Sequence, residues 1–123
     1  MNNTNCNDNL CSISKCDIFD FMAKYVGLTV IHPGGLNTTQ RLLNLLNITE
    51  NTKVIDIVCG KGSTAFYLGN KNNCNVLGND ISEESIEEAE YFNKKRGFEK
   101  KITFQLGNAM DLLFSDSEFD LAI

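Results

Sequence analysis

The chemistry of this sequence is narrowed first by what it lacks. It has no excess of basic charge: 11 lysines and arginines stand against 16 aspartates and glutamates, a formal net charge of −5. Neutralising nucleic-acid phosphates needs the opposite balance, so no nucleic-acid partner is expected. No stretch approaches the roughly eighteen consecutive apolar residues of a membrane helix, so no membrane span is expected. The opening MNNTNCNDNL has neither the basic flank nor the apolar stretch of a secretory signal. The chain is therefore expected in the cytoplasm, with its five cysteines reduced. Cys6, Cys11 and Cys16 come without a C-x2-C knuckle or a companion histidine, so no metal site is assigned.

What is present describes a globular chain. Hydrophobic residues make up 42% of 123 residues, enough to bury a core in one domain or part of one. Residues 1–16, rich in asparagine and serine, read as a flexible leader before a domain over 17–123. Apolar spacing from Asp17 to Val26 suits an amphipathic helix, followed by a His32-Pro33-Gly34-Gly35 turn. Asn37 or Thr38 is expected to cap a leucine-rich helix through Leu42, Leu43, Leu45 and Leu46. Val54–Val58 is a short apolar run, read as a buried parallel strand. A helix opens at Ser63, and a second strand runs from Asn75 to Gly78 and ends at Asp80. Ser82 caps the next helix, with Glu83 and Glu84 in its first turn, Lys94, Lys95 and Arg96 in its last, and Gly97 beyond. Ile102–Leu106 and Phe119–Ile123 are the third and fourth strands. Strands alternating with helices define an α/β fold with right-handed crossovers and a parallel sheet.

In such a sheet the ligand lies at the carboxyl ends of the strands, beside the point where strand order reverses. There the sequence places Asp56 to Gly62 after the first strand, Asp80 after the second, and Gly107-Asn108-Ala109 with Asp111 after the third. Gly60 and Gly62 allow a ligand to approach the backbone, and the helix from Ser63 offers N–H groups to an anionic group. An acid after the second strand can accept both hydroxyl protons of a ribose. Two nucleoside cofactors fit. Gly60-x-Gly62-x-x-Ala65 with Asp80 matches the loose nicotinamide-dinucleotide fingerprint, which would make the chain a fragment of an NAD(P)-dependent oxidoreductase.

The order D-x-x-C-G-x-G at Asp56–Gly62 resembles motif I of the class I S-adenosylmethionine (SAM) dependent methyltransferases. The resemblance continues through Val76-Leu77-Gly78-Asn79-Asp80-Ile81-Ser82, Gly107-Asn108-Ala109-Met110-Asp111-Leu112 and Phe119-Asp120-Leu121-Ala122-Ile123. With the upstream His-Pro-Gly-Gly turn it is similar to small-molecule methyltransferases of the quinone- and sterol-methylating kind, over residues 17–123. It implies a Rossmann-like parallel sheet with flanking helices, and methyl transfer from SAM to a small-molecule acceptor, with this chain supplying the SAM-binding half.

The same resemblance implies the cofactor contacts. Asp56 would hold the methionine amino group, and Cys59, Gly60 and Gly62 form the turn against which the aminoacid part lies. Asp80 would take the ribose hydroxyls, Ile81 would pack on the adenine, and Asn108 and Ala109 would hold its edge. No catalytic nucleophile is required, and none is assigned. In one departure, Val58 stands where the first motif glycine is usual. A β-branched residue strains that turn or crowds the methionine moiety if its φ is positive, and costs little if φ is negative.

Other residues have plainer uses. Cys59 reads as a small turn filler rather than a thiol activated at a helix N-terminus, and Cys74 as a residue near a strand start. Glu83, Glu84, Glu87, Glu88 and Glu90 read as a solvated helix face, and Asp111 and Asp116 as loop caps. Lys61-Gly62-Ser63 lacks the spacing of a P-loop. Because the sequence ends inside a strand, the domain is expected to be truncated after its fourth strand. That leaves an edge open to self-association or to a missing C-terminal half. A third possibility is then a non-catalytic remnant or split-protein partner that does not turn over substrate alone.

Overall fold

The computed structural model describes residues 25–26 and 34–123. The leader, its three cysteines, His32 and most of the expected 17–26 helix lie outside these residues. The chain divides into two units, Met1–Gly35 and Leu36–Ile123, and the second carries the sheet.

In chain order the described elements are α1 (Gly35–Leu43), β1 (Lys53–Ile57), α2 (Ser63–Asn72), β2 (Asn75–Asp80), α3 (Glu83–Arg96), β3 (Ile102–Leu106) and β4 (Leu121–Ala122). The four strands form one parallel sheet in the order β3-β2-β1-β4. The chain winds outward from β1 through β2 to β3, then returns to lay β4 on the other side of β1. The order therefore reverses beside β1, as the α/β expectation requires.

The sheet register explains the core. Val54, Val76 and Ile102 are aligned across three strands, and so are Asp56, Gly78 and Phe104. Alternation along a strand puts both rows on one face. That face packs against Ala65, Phe66 and Leu68 of α2 and Ile86 and Ala89 of α3 in a single buried cluster. Residues between those rows point the other way, where Thr103 is exposed and Leu77 half-buried. Helices α2 and α3 thus cover one face, while Ile55 and Asn79 are buried on the other.

Phe104 sets the packing at the carboxyl end of this core. Its ring meets Phe66 edge-on at 5.6 Å between centroids, and the Arg96 guanidinium lies 4.5 Å from the Phe66 centroid. A Cβ on either Gly62 or Gly78 would come within 2.5 Å of the Phe104 ring. Both glycines are therefore required by the core. Asn93, buried mid-helix, donates from Nδ2 to the Ile102 carbonyl at 2.8 Å and pins α3 to β3.

Helix α3 ends where its sequence signals place it. Ser82 Oγ accepts from Ser85 N, and Gly97 takes φ 74° at the C-terminus. The Gly97 N–H bonds back to Asn93 and Lys94, and Phe98 N donates to the Asn93 carbonyl at 3.2 Å. Three boundaries differ from expectation. Strand β1 covers Lys53–Ile57 rather than Val54–Val58, which leaves Val58 in the turn. Helix α1 starts at Gly35, so Asn37 and Thr38 lie inside it. It stops at Leu43, and tighter turns from Leu45 to Leu42 and Leu46 to Leu43 carry Leu45 into solvent. Strand β4 is two residues long, with Ile123 bonding on to Ile55 and Ile57, and the chain just before it is held by Asp120. Its N–H donates to the Lys53 carbonyl at 2.9 Å while its Oδ2 accepts from Lys53 N at 2.8 Å.

Candidate cofactor site

Three loops meet at the carboxyl ends of β1, β2 and β3, and Asp80 joins them. Its Oδ2 accepts from Gly60 N at 2.7 Å, in the loop after β1. Its Oδ1 accepts from Ser82 N at 2.9 Å, in the loop after β2. Its backbone carbonyl accepts from Gly107 N at 2.9 Å, in the loop after β3. A carboxylate oxygen has lone pairs to spare beyond one backbone bond, so both oxygens retain acceptor capacity.

Asp56 lies on the same sheet face and is only 6% exposed. Its Oδ2 has no hydrogen-bond partner. Burial, and secondarily the charge of Asp80, push its carboxyl up from the usual 3.8 to about 7. Two carboxylates with one unpartnered oxygen form an electrostatic sink for a cation.

The turn between β1 and α2 divides the expected glycine roles. Gly60 has φ 54°, and a Cβ there would meet nothing within 4 Å, so its backbone faces open space. Gly62 has φ 81° but is buried against Phe66 and Phe104. Gly62 shapes the turn from within the core, whereas Gly60 is the glycine a ligand can approach. Cys59 is committed inward: its N–H donates to the Asn79 carbonyl at 3.0 Å, and its thiol lies 3.5 Å from the Gly60 carbonyl. Burial first, then Asp56 and Asp80, push its thiol pKa up, so the helix N-terminus does not activate it. The turn is clamped from outside by Lys61, whose ammonium pairs with Glu88 of α3 at 2.7 Å. Glu88 is thus more than part of a solvated face.

Val58 adopts φ 61°, a left-handed conformation that is an outlier for a β-branched residue. Such strain costs on the order of 1–3 kcal/mol. The positive-φ case anticipated for this position is the one realised.

Across the cleft, Ile81 is 64% exposed at the end of β2, and Asn108 and Ala109 are exposed after β3. Asn108 Oδ1 accepts from Met110 N at 2.9 Å, while the Asn108 carbonyl takes Asp111 N at 3.0 Å. Both Asn108 oxygens therefore fix its own loop. Three further residues belong to this region that sequence patterns did not indicate. Leu106 and Met110 are apolar and exposed beside Ile81's end of the sheet, and such side chains in strand-end loops signal an apolar ligand face. Asn79 is 1% exposed, and neither side-chain polar atom has a partner. Its amide fills the space a Gly107 side chain would need. Cys74 is a core residue whose buried thiol faces the Leu68 carbonyl at 3.9 Å.

The arrangement brings Asp56, Gly60 and Asp80 into one cluster, with Ile81, Asn108 and Ala109 on the adjoining loops. A cluster of loops at the carboxyl ends of the strands, beside the point where their order reverses, is the place where open α/β sheets bind their ligands. Residues 48–123 match the methyltransferase domain family, and the chain belongs to that family. It is 33% identical over 86 residues to the methyltransferase GfsG of Streptomyces halstedii, covering 70% of this chain and 31% of that protein. It is 31% identical over 83 residues to the 27-O-demethylrifamycin SV methyltransferase of Amycolatopsis mediterranei, covering 68% of this chain and 30% of that one. Among solved structures, the YcgJ protein of Bacillus subtilis superposes with a TM-score of 0.65 at 28% identity, covering 71% of this chain and 36% of the other. The chain spans 30–41% of the length of the first curated relatives it matches. Family membership sets aside the nicotinamide alternative. No described helix is long and apolar enough to cross a membrane.

Proposed function

We propose that this chain binds SAM at the Asp56–Asp80 cleft and serves methyl transfer to a small-molecule acceptor. The observation that carries the proposal is the buried, unpartnered Asp56 Oδ2 next to a second carboxylate. An unpaired buried carboxylate is costly unless a cation or donor meets it. SAM brings an ammonium and a sulfonium. A dinucleotide brings a pyrophosphate, which two carboxylates repel. Asp80 would suit the ribose of either cofactor, so the preference for SAM rests on the unpartnered Asp56 oxygen, which an ammonium would meet, and on the family match.

In this reading Asp56 receives the ammonium, Asp80 the ribose hydroxyls, Gly60 the aminoacid backbone, and Ile81, Asn108 and Ala109 the adenine. The bound cofactor supplies an already activated methyl group on sulfur. The chain's residues hold and orient it, a contribution of proximity rather than of acid–base chemistry. The rifamycin relative supports an acceptor of the small-molecule class. Thermal denaturation tests the cofactor assignment: S-adenosylhomocysteine (SAH) at saturating concentration raises the melting temperature, and NADH at equal concentration leaves it unchanged. The reverse pattern would sink the proposal.

A further inference from the structure

Val58 combines three properties that packing alone does not reconcile. Its backbone is left-handed at φ 61°, which a valine resists more than almost any residue. Its side chain is 69% exposed, so the core does not hold it in place or require it. It also sits between the two functional positions of its loop, two residues after Asp56 and two before Gly60. Strain kept at an exposed position, in a loop otherwise fixed by Asp80 and by the Lys61–Glu88 pair, marks a ligand-facing site.

Strand order decides which part of a ligand Val58 faces. The nucleobase side is built from the loops after β2 and β3, at Ile81, Asn108 and Ala109. The sheet order β3-β2-β1-β4 puts the end of β1 two strands away from the β3 loop. Val58 therefore lies at the β1 end of the site, two residues after Asp56, on the side assigned above to the aminoacid group. Its two γ-methyls stand where a glycine would leave open backbone, as Gly60 does.

We propose that Val58 is a specificity-determining residue that narrows the aminoacid half of the cleft, leaving the nucleoside half unaffected, so that the chain discriminates weakly between SAH and a ligand lacking the aminoacid tail. This rests on the cofactor assignment above and deepens it. The consequence is selective: truncating Val58 tightens binding of the tailed ligand alone.

The test is calorimetric titration of the full chain, as wild type, V58A and V58G, with SAH and with 5′-methylthioadenosine, which carries the same nucleoside and no aminoacid group. Both variants are expected to bind SAH about tenfold or more tightly than wild type, each tenfold corresponding to about 1.4 kcal/mol. Affinity for 5′-methylthioadenosine stays within about twofold across all three. The glycine variant also melts higher than the alanine variant, because alanine keeps a Cβ in the left-handed conformation and glycine does not. An unchanged ratio of the two affinities in both variants overturns the role of Val58 while leaving the cofactor assignment intact. Failure of both ligands to bind any of the three proteins overturns the cofactor assignment, and this proposal with it.

Discussion

At Asp80, one side chain and its own carbonyl accept from Gly60, Ser82 and Gly107, so a single residue aligns the loops after three strands. Asp80→Ala leaves two loop N–H groups without acceptors, and about 1–3 kcal/mol of stability is expected to go with each that stays buried. Denaturant titration would measure it. Asp56 acts in the opposite sense, because its folded pKa of about 7 exceeds the ordinary 3.8. Between those values the folded chain holds a proton that the unfolded chain has released, so this residue's contribution to stability falls as pH rises from about 4 to about 7 and is flat above. Binding of a cationic ligand, which favours the ionised form, strengthens over the upper part of the same range. Melting curves of the free chain and SAH affinities taken across that interval should therefore slope in opposite directions. Asp56→Asn should flatten both. Parallel slopes in wild type would contradict the role given to Asp56. The sequence order sets Asp56, Asp80 and Gly60 at strand ends, and the structure gathers them there because the parallel register brings those ends together. Asn79 was not legible: inside an apolar strand its burial depends on Gly107, a contact made across two strands.

Among the elements, α3 was readable from its local caps and β3 from its apolar run, while the end of α1 and the extent of β4 were not. Ser82 and Gly97 mark α3 through hydrogen bonds within a few residues, and both occur as expected. Ser82→Ala should lower stability by about 1 kcal/mol, seen as a reduced denaturation midpoint. Gly62 shows the other case. A glycine pattern cannot distinguish a backbone opened to a ligand from one pressed on by a distant ring, and Phe104 supplies that ring from β3. Phe104→Ala is expected to cost about 3–5 kcal/mol, and the glycine turn is expected to loosen with it. Gly62→Ala keeps the aromatic ring and forces a Cβ into it, so it too should destabilise, by a margin that shrinks in the Phe104→Ala background. That non-additivity, read from a double-mutant cycle, isolates the packing role from any ligand role. The end of α1 and the shortness of β4 escaped the sequence for a similar reason. The leucine spacing continues past Leu43 although the helix does not, and Asp120 spends its side chain on Lys53.

At the scale of the whole chain, fold and family agree. A parallel sheet reversing its order beside β1, a three-loop crevice at its carboxyl edge and a match over residues 48–123 all describe the cofactor-binding part of a methyltransferase domain. The fold class was legible because βαβ alternation survives errors of a few residues at each boundary. The acceptor was not, since nothing in these loops beyond the cofactor cleft selects one small molecule over another. The chain carries a net charge of −5 and gathers the carboxyl groups of Asp56 and Asp80 at the ends of β1 and β2, which suits the ammonium of the proposed ligand. The central proposal is that this edge binds the SAM scaffold through Asp56 and Asp80. Calorimetric titration of the folded chain with SAH above pH 7 tests it most directly, with Asp80→Ala as the control. One ligand per chain, with binding lost in the control, is the expected result. No heat of binding in wild type, or equal affinity in the Asp80→Ala chain, would contradict the account.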